Sequence, residues 1–489
     1  MSEHFDVVVV GAGISGIGAA YHLQANSPDR SYVILEGRAR LGGTWDLFRY
    51  PGIRSDSDMY TLGFGFKPWT DAKAIADGPS ILRYLDETAR ENAIDRHIRL
   101  SHRVTRASWS TSEARWTVVA EQDGVERVFT CAFLFLCSGY YNYDRGYAPD
   151  FAGAGEFAGR IVHPQFWPDD LDYAGKRVVI IGSGATAVTL VPEMAKQAAH
   201  VTMLQRSPTY IVARPSTDAI ANGLRRVLPA KAAYALTRWK NVLVQQYFFG
   251  LARRHPEKAK ARIVEMVRGE LGADYDVGTH FTPSYNPWDQ RLCLVPDADL
   301  FATIRAGKAE VVTDTIERFT PTGLLLASGR ALEADVVVTA TGLEIQLLGG
   351  VPITVDGVAF ETAKAMTYKG MMFADLPNFA LSFGYTNASW TLKADLTATY
   401  VTRLLNAMRK RGMRQVTPRV GAPVEAMPFL DFTSGYVTRA AGALPRQGAR
   451  KPWRLHQNYL RDVLALNYGS IDEEMEFSNP LPHPDHAAA

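Results

Sequence analysis

The sequence predicts an α/β chain built from two Rossmann-like dinucleotide-binding domains that carry a helical insertion. Three observations predict it. A continuous β-branched run, Phe5 to Val10, breaks at a glycine turn into a small-residue helix, GISGIGAAYHL. The same pattern recurs in KRVVIIGSGATAVTL. Two further buried-looking runs, FLFLCSGYYN and ADVVVTATGLE, close on small residues where a chain can leave and re-enter a sheet. A length of 489 residues exceeds what one hydrophobic core usually supports, so two or three domains are expected.

In the first module Gly11 permits the tight turn, Gly13 lets the backbone approach a pyrophosphate, and Gly16 packs helix against strand. The next strand, SYVILEGR, ends in Glu36, twenty residues after Gly16. An acid there accepts hydrogen bonds from an adenosine ribose and repels a 2′-phosphate. A glycine triplet that follows a strand, opens a helix and has an acid at this distance is a strong signal, and the loop is assigned to FAD. In GGTWDLFRYPGIRSD two adjacent glycines allow close approach to a flat ring or phosphate, Trp45 and Tyr50 supply apolar walls, and Pro51-Gly52 makes a turn that presents Asp56. Gly43, Thr44 and Trp45 are assigned to the cofactor; the bland reading of this stretch is a solvated loop. Residues 77–124 predict a helix (PSILRYLDETARENA) and then a small antiparallel insertion.

The stretch FAGRIVHPQFWP, from Phe157 to Pro168, joins the modules. Phe157 and Trp167 can anchor it by burial, Gly159 allows an unusual backbone angle, and His163 can hydrogen-bond on both sides. In the second module Gly182, Gly184 and Ala187 repeat the small-residue positions. Its following strand, HVTMLQRSP, has Gln205 where Glu36 stood, followed by Arg206 and Ser207. Loss of the acid and gain of a guanidinium and a hydroxyl suit a 2′-phosphate, so this module is assigned to NADPH.

Residues 216–271 read as inserted helices: ANGLRRV, AKAAYALTRWKNVLVQQYFFGLARR, and one started by Pro256. Leu236, Trp239, Leu243, Tyr247 and Leu251 fall near one stripe, and the chain between Asp218 and Glu257 holds seven basic residues and no acid. Such a helix either lies on a membrane surface or packs its stripe on the body and lines a substrate passage; the second is the expectation. SYNPWDQRLCLVP is an irregular loop that ends in Gln290 and Arg291 at a strand start. Further on, FGYTNASWTLKADL enters a long helix that Asn387 or Ser389 can cap, with its positive end available to reduced flavin.

Charge is balanced, 53 basic against 51 acidic residues for a net +2, which gives no footprint for nucleic acid. The three cysteines, Cys131, Cys137 and Cys293, include no close pair, which argues against a disulfide scaffold and against a disulfide reductase. Cys131 and Cys137 lie on one apolar strand and are expected in the core. No metal site is assigned. With no apolar leader and no run of membrane-spanning length, the expected compartment is the cytoplasm. The boundaries read 1–145 and 339–489 for a discontinuous FAD-binding domain, 146–215 and 286–338 for the NADP-binding domain, and 216–285 for the helical insertion.

Two motifs carry a resemblance. Phe157, Gly159, His163 and Trp167 match the linker signature of class B flavin monooxygenases of the Baeyer–Villiger type, and Gly43, Trp45, Tyr50, Pro51, Gly52 and Asp56 match the second signature of that family. The likeness covers nearly the whole chain, and runs such as GGTWDLFRYPGIRSDSDMYTLGF and YNPWDQRLCLVP are similar to the bacterial ethionamide-activating group. The resemblance implies FAD, NADPH and O2, with a ketone oxidised to an ester or lactone and thioethers or thioamides as further substrates. It also implies that Arg291 is the catalytic arginine and that Asp56 lies beside it at the flavin ring. Family members place a basic NADP-gripping residue before that arginine, where this chain has Gln290. A flavin N- or S-hydroxylating enzyme shares both glycine loops, but its linker ends in Tyr or Phe where Trp167 stands. A flavin reductase or oxidase that does not oxygenate is the other alternative.

Overall fold

The computed structural model describes residues 2–290, 292–430 and 432–480. Strand β1, Glu3–Val10, is buried over its second half because Val7 to Val10 present β-branched side chains to both faces. It pairs in parallel with β2, Tyr32–Leu35, on one side and with Val125–Leu136 on the other. Among the described residues these belong to a nine-stranded sheet that runs Val358–Ala359, Ile353–Val355, Arg103–Ser110, Arg115–Gln122, Val125–Leu136, β1, β2, Ile98–Arg99, with Phe379–Leu381 also on Val125–Leu136. Helix α1, Ile14–Asn26, covers this sheet and packs against the long C-terminal helix Trp390–Arg411.

The antiparallel strands expected near residue 100 are not a separate insertion. Val125–Leu136 spans twelve residues, and it pairs antiparallel with Arg115–Gln122 while also lying in parallel beside β1. Trp109 and Trp116, with ring centroids 5.5 Å apart and both buried, supply the apolar face that fuses these strands to the main sheet. Cys131 lies in that core and Cys137 in the core on the other face of the sheet, both buried as expected, and burial pushes the Cys131 thiol up to about 12.

The second sheet is wholly parallel, in the order Ala309–Thr313, His200–Gln205, Arg177–Ile181, Val336–Thr339, Arg160–Val162. The linker thus enters this sheet as its edge strand. Two segments carry the chain between the sheets, one after Leu136 and one after Thr339, and they are bonded to each other. Gln346 N–H donates to Tyr140 O at 2.9 Å, Asn142 N–H to Glu344 O at 2.8 Å and Tyr147 N–H to Gly342 O at 3.2 Å.

The insertion helices form at Ala219–Val227, Ala230–Arg254 and Pro256–Leu271. The Asp218 carboxylate caps the first by accepting from Ala221 N–H at 2.9 Å, and Pro256 opens the third. The rotation of the long helix Ala230–Arg254 differs from the expectation. Leu236, Trp239, Leu243, Tyr247 and Leu251 are exposed rather than packed on the body. The inner face is taken by Tyr234, whose hydroxyl donates to Phe64 O at 3.0 Å, and by Arg238, which donates to Tyr60 O at 2.8 Å and Gly63 O at 2.7 Å. Those carbonyls lie in and just after the short helix Met59–Leu62, whose last turn leaves acceptors without helical partners. These buried acceptors fix the rotation of the helix, since each buried carbonyl left unmet costs about 1–3 kcal/mol.

A side chain at Gly16 would drive its Cβ into the Gly11 carbonyl, whereas one at Gly250 in the long insertion helix would meet open space. Gly16→Ala is therefore expected to destabilise by about 3 kcal/mol or more, and Gly250→Ala to stabilise by roughly 0.5–1 kcal/mol. Thermal unfolding of the two variants reads both; equal midpoints would contradict this packing.

Candidate functional site

A cleft of about 390 Å³ opens along the carboxyl ends of β1 and β2. Gly11 turns the chain at φ +102, with its N–H on Leu35 O at 2.8 Å, and an added Cβ would lie 2.7 Å from Cys137 O. Gly13 caps α1 and faces Gly43, whose φ is +54 and whose added Cβ would be 3.1 Å from Gly13 Cα. The second glycine loop is thus seated on the first, and Gly42 N–H donates to Ala12 O at 3.0 Å. Glu36 lines the cleft, buried, and accepts from Ala12 N–H at 2.7 Å and Arg38 N–H at 2.9 Å. Burial raises its pKa, and these two N–H groups and the Arg38 charge oppose the rise. Arg38 is itself fixed by Asp46 at 2.7 Å.

At the other end the lining includes Thr44, Trp45, Asp56, Tyr385, Ala388 and Trp390. Trp390 stacks on Tyr140 at 5.1 Å and donates its indole N–H to Ser15 Oγ at 2.7 Å, which ties the start of the C-terminal helix to the start of α1. Both helix N-termini therefore converge on this cleft, a placement that favours negative charge. Ser389 occupies the cap position of that helix, but its hydroxyl bonds Thr61 Oγ1 at 2.7 Å instead of a backbone N–H. Tyr385 donates to Asp462 Oδ2 at 2.7 Å, and the same oxygen takes Lys393 Nζ at 2.8 Å. The wall fits a long, flat, phosphate-bearing group: Gly139 has φ +73 with open space where a side chain would stand, and the buried hydroxyl of Ser138 has no hydrogen-bond partner among the described residues.

The second glycine turn repeats the first. Gly182 N–H donates to Leu204 O at 2.8 Å, and a Cβ there would collide with Ala340 O. Gly184 caps Ala185–Met194 beside open space, and Ala187 is buried. Gln205 does not face the turn as Glu36 does. Its amide donates to His280 O at 2.7 Å and Thr313 Oγ1 at 2.8 Å, which leaves Arg206 and Ser207 exposed at the strand end. Gln290 belongs to a loop clamped on two sides, by Arg253 on Asp289 at 2.6 Å and by Thr433 N–H on Asp289 O at 2.9 Å. In that loop Trp288 sits at φ +73, a strained angle for a bulky residue, with its ring 5.5 Å from Phe249. Arg291 lies outside the described residues.

The linker residues each have a distinct contact. Phe157 packs edge-on to Phe319 at 5.9 Å, and Gly159 fits under Asp335 O, where a side chain would collide. His163 Nδ1 accepts from Gln165 N–H at 3.2 Å, and its ring fills the space that a side chain at Gly146 would take. Trp167 packs on the core of the second sheet. Sequence reasoning missed Arg38, Ser138, Tyr140, Tyr385 and Trp390 as cleft residues. SGYYN offered a signal, because small and aromatic residues directly after a buried strand mark a crossover.

Comparisons with known proteins agree with this layout. The model of the flavin-binding monooxygenase-like family matches residues 74–416, and that of the NAD(P)-binding Rossmann-like domain matches residues 9–78. The chain is 58% identical over 476 residues to FAD-containing monooxygenase EthA of Mycobacterium tuberculosis, covering 97% of each. Among solved structures, oxidized steroid monooxygenase bound to NADP superposes with a TM-score of 0.76 at 24% identity, over 97% of this chain and 100% of that one. Cyclohexanone monooxygenase with ε-caprolactone bound gives a TM-score of 0.74 at 19% identity, over 98% and 100%. Both share this fold.

Burial holds the His163 imidazole below its usual pKa, with the backbone of Gly342 and Tyr147 opposing. A group depressed in the fold contributes fully above its unfolded value of about 6.5, and that contribution is lost as pH falls below it, because the unfolded chain binds the proton first. The unfolding temperature is expected to drop from about pH 6.5 downward, and less steeply in His163→Gln. Burial lowers His280 and His456 as well, so part of the slope remains. Parallel pH profiles for the two proteins would remove His163 from this account.

Proposed function

The chain belongs to the flavin-binding monooxygenase-like family, and we propose that within it the protein is an NADPH- and O2-dependent Baeyer–Villiger enzyme. FAD would occupy the cleft along β1 and β2, and NADPH the second glycine turn. The net reaction takes a ketone, O2, NADPH and a proton to an ester or lactone, NADP+ and water. The linker carries this reading. It ends in Trp167 rather than the Tyr or Phe of the N-hydroxylating relatives, and its residues lodge between the crossover segments and the second sheet. The cyclohexanone monooxygenase neighbour was solved with a lactone, ε-caprolactone. Thioether or thioamide oxidation is a second outlet, since such sulfur atoms are electron-rich and the family resemblance extends to the ethionamide-activating group.

When bound, the flavin accepts hydride from NADPH and activates oxygen. The protein supplies the rest. Gly11, Gly13, Gly16 and the α1 N-terminus would hold the pyrophosphate, Glu36 the ribose hydroxyls, and Gly43, Thr44 and Trp45 the inner wall. Gly182, Gly184 and Ala187 would hold the second pyrophosphate, and Arg206 and Ser207 the 2′-phosphate. Gln290 supplies no charge, so discrimination for the phosphate falls on Arg206. Arg291, always protonated, would stabilise the negative charge that develops when oxygen attacks the carbonyl, and Asp56 would orient its guanidinium. The stacked rings of Tyr140 and Trp390 would limit water at this end of the cleft.

Arg206→Ala is expected to raise KM for NADPH about ten- to a hundredfold, the size of a charge-assisted contact, with little change for NADH. Equal losses with both cofactors would sink the assignment. Arg291→Ala is expected to retain FAD and to be bleached by NADPH at the wild-type rate without air. Its yield of lactone from cyclohexanone should fall by about a hundredfold or more, with oxygen consumption appearing as hydrogen peroxide. Near wild-type lactone formation by that variant would overturn the proposed role.

A further inference from the structure

The outward face of the long insertion helix Ala230–Arg254 is left largely uncovered by the described residues. Leu236, Trp239, Leu243, Tyr247, Phe248 and Leu251 are each between 42 and 66 % exposed. Single exposed apolar residues are ordinary, but six on one face of one helix form a continuous patch of the kind that marks a contact surface. The patch continues beyond the helix: Trp239 meets Tyr459 at 5.8 Å, and Leu460, Leu464 and Tyr468 of the following segment are exposed as well.

The charges around this face are segregated. The whole chain is balanced, yet residues 219 to 256 contain no Asp or Glu and seven Lys or Arg. Of these, Arg226, Lys231 and Arg254 are exposed and form no ion pair with any described residue. They stand before, at the start of, and at the end of a helix about 37 Å long at 1.5 Å per residue. A protein interface also favours aromatic residues and arginine, but it gives no reason for seven basic residues without one acid across this whole stretch. A bilayer with anionic headgroups accounts for both, since Trp and Tyr settle at the headgroup boundary and each nearby Lys or Arg adds attraction. No helix among the described residues is long and apolar enough to cross a membrane, so contact of this kind stays at the surface.

We propose that this face docks the protein on an anionic lipid surface, with the long insertion helix lying in the plane of the headgroups. The inner side of the same helix is bonded to the loops beside the cleft. Asn241 Nδ2 donates to Asp58 Oδ1 at 2.9 Å, and Gln245 Nε2 to Asn387 O at 3.0 Å. The docking face and the cleft rim are therefore two sides of one element.

The test is flotation of the full-length, flavin-loaded protein with vesicles of equal parts phosphatidylcholine and phosphatidylglycerol, and with phosphatidylcholine alone. The expected result is co-flotation with the anionic vesicles, reduced at least tenfold on neutral ones. Leu243→Glu/Tyr247→Glu should lose at least tenfold of that binding while keeping its flavin. Arg226→Glu/Lys231→Glu/Arg254→Glu, at three exposed positions outside the cleft, should erase the preference for anionic vesicles and serves if the first variant does not fold. Flotation that both variants leave unchanged, or absence of flotation by the wild type, overturns the proposal. So does a lipid-free mass of two chains that falls to one in Leu243→Glu/Tyr247→Glu, which would make the face a contact between copies.

Discussion

A backbone carbonyl stands where a side chain would be at each of the two nucleotide turns, and the rest of the molecule is arranged around that fact. At Gly11 it is the carbonyl of Cys137, and at Gly182 that of Ala340. Each belongs to a segment on which the chain leaves its own sheet for the other one. The turn glycine and the crossover are thus one contact made twice. A side chain at either glycine would lever the crossover off its strand, so the opening of the cofactor cleft and the route between the sheets cannot be altered independently.

The linker extends the same constraint. Because Arg160–Val162 is the edge strand of the second sheet, the angle at which the chain arrives there sets how that sheet faces the first. Gly159 passes beneath Asp335 O, and the His163 ring fills the gap at Gly146. A neutral imidazole suits this place: burial disfavours its charge, and Nδ1 already accepts a backbone N–H. Precise relative placement of two cofactors is what an enzyme of this family needs, since hydride transfer requires reacting atoms within about 3–3.5 Å.

Much of this was legible in the sequence for local reasons. The glycine turns, the acid at Glu36 and the three insertion helices announce themselves through spacing, capping and periodicity, which the structure need not override. What was not legible depended on contacts far along the chain. Gln205 aligns with Glu36, but its amide finds His280 and Thr313, residues 75 and 108 positions away. Ser389 is a good cap by type, yet Thr61 claims its hydroxyl across 328 residues. The strands Arg103–Ser110 and Arg115–Gln122 have the pattern of an independent hairpin. Their membership in the main sheet follows from the length of Val125–Leu136, whose reach toward β1 no local pattern reveals. Within the cleft, Tyr140 and Trp390 meet only because two distant segments cross there.

The long insertion helix shows why a periodic stripe tells which residues share a face but not where that face points. It carries apolar residues on two sides, so burial alone leaves two rotations open. Polar groups choose between them. Turning Leu243 and Tyr247 inward would strip Tyr234 and Arg238 from the carbonyls of Phe64, Tyr60 and Gly63 and withdraw Arg238 from Asp395, 3.5 Å away. A buried arginine that loses its partners costs about 3–5 kcal/mol, against roughly 1.5–3 kcal/mol for each large apolar side chain gained. That balance is close in energy but not in geometry. The inner groups also brace Met59–Leu62, the short helix that follows Asp56 and Ser57 at the cleft wall. Bracing the site on one side thus leaves an apolar surface on the other.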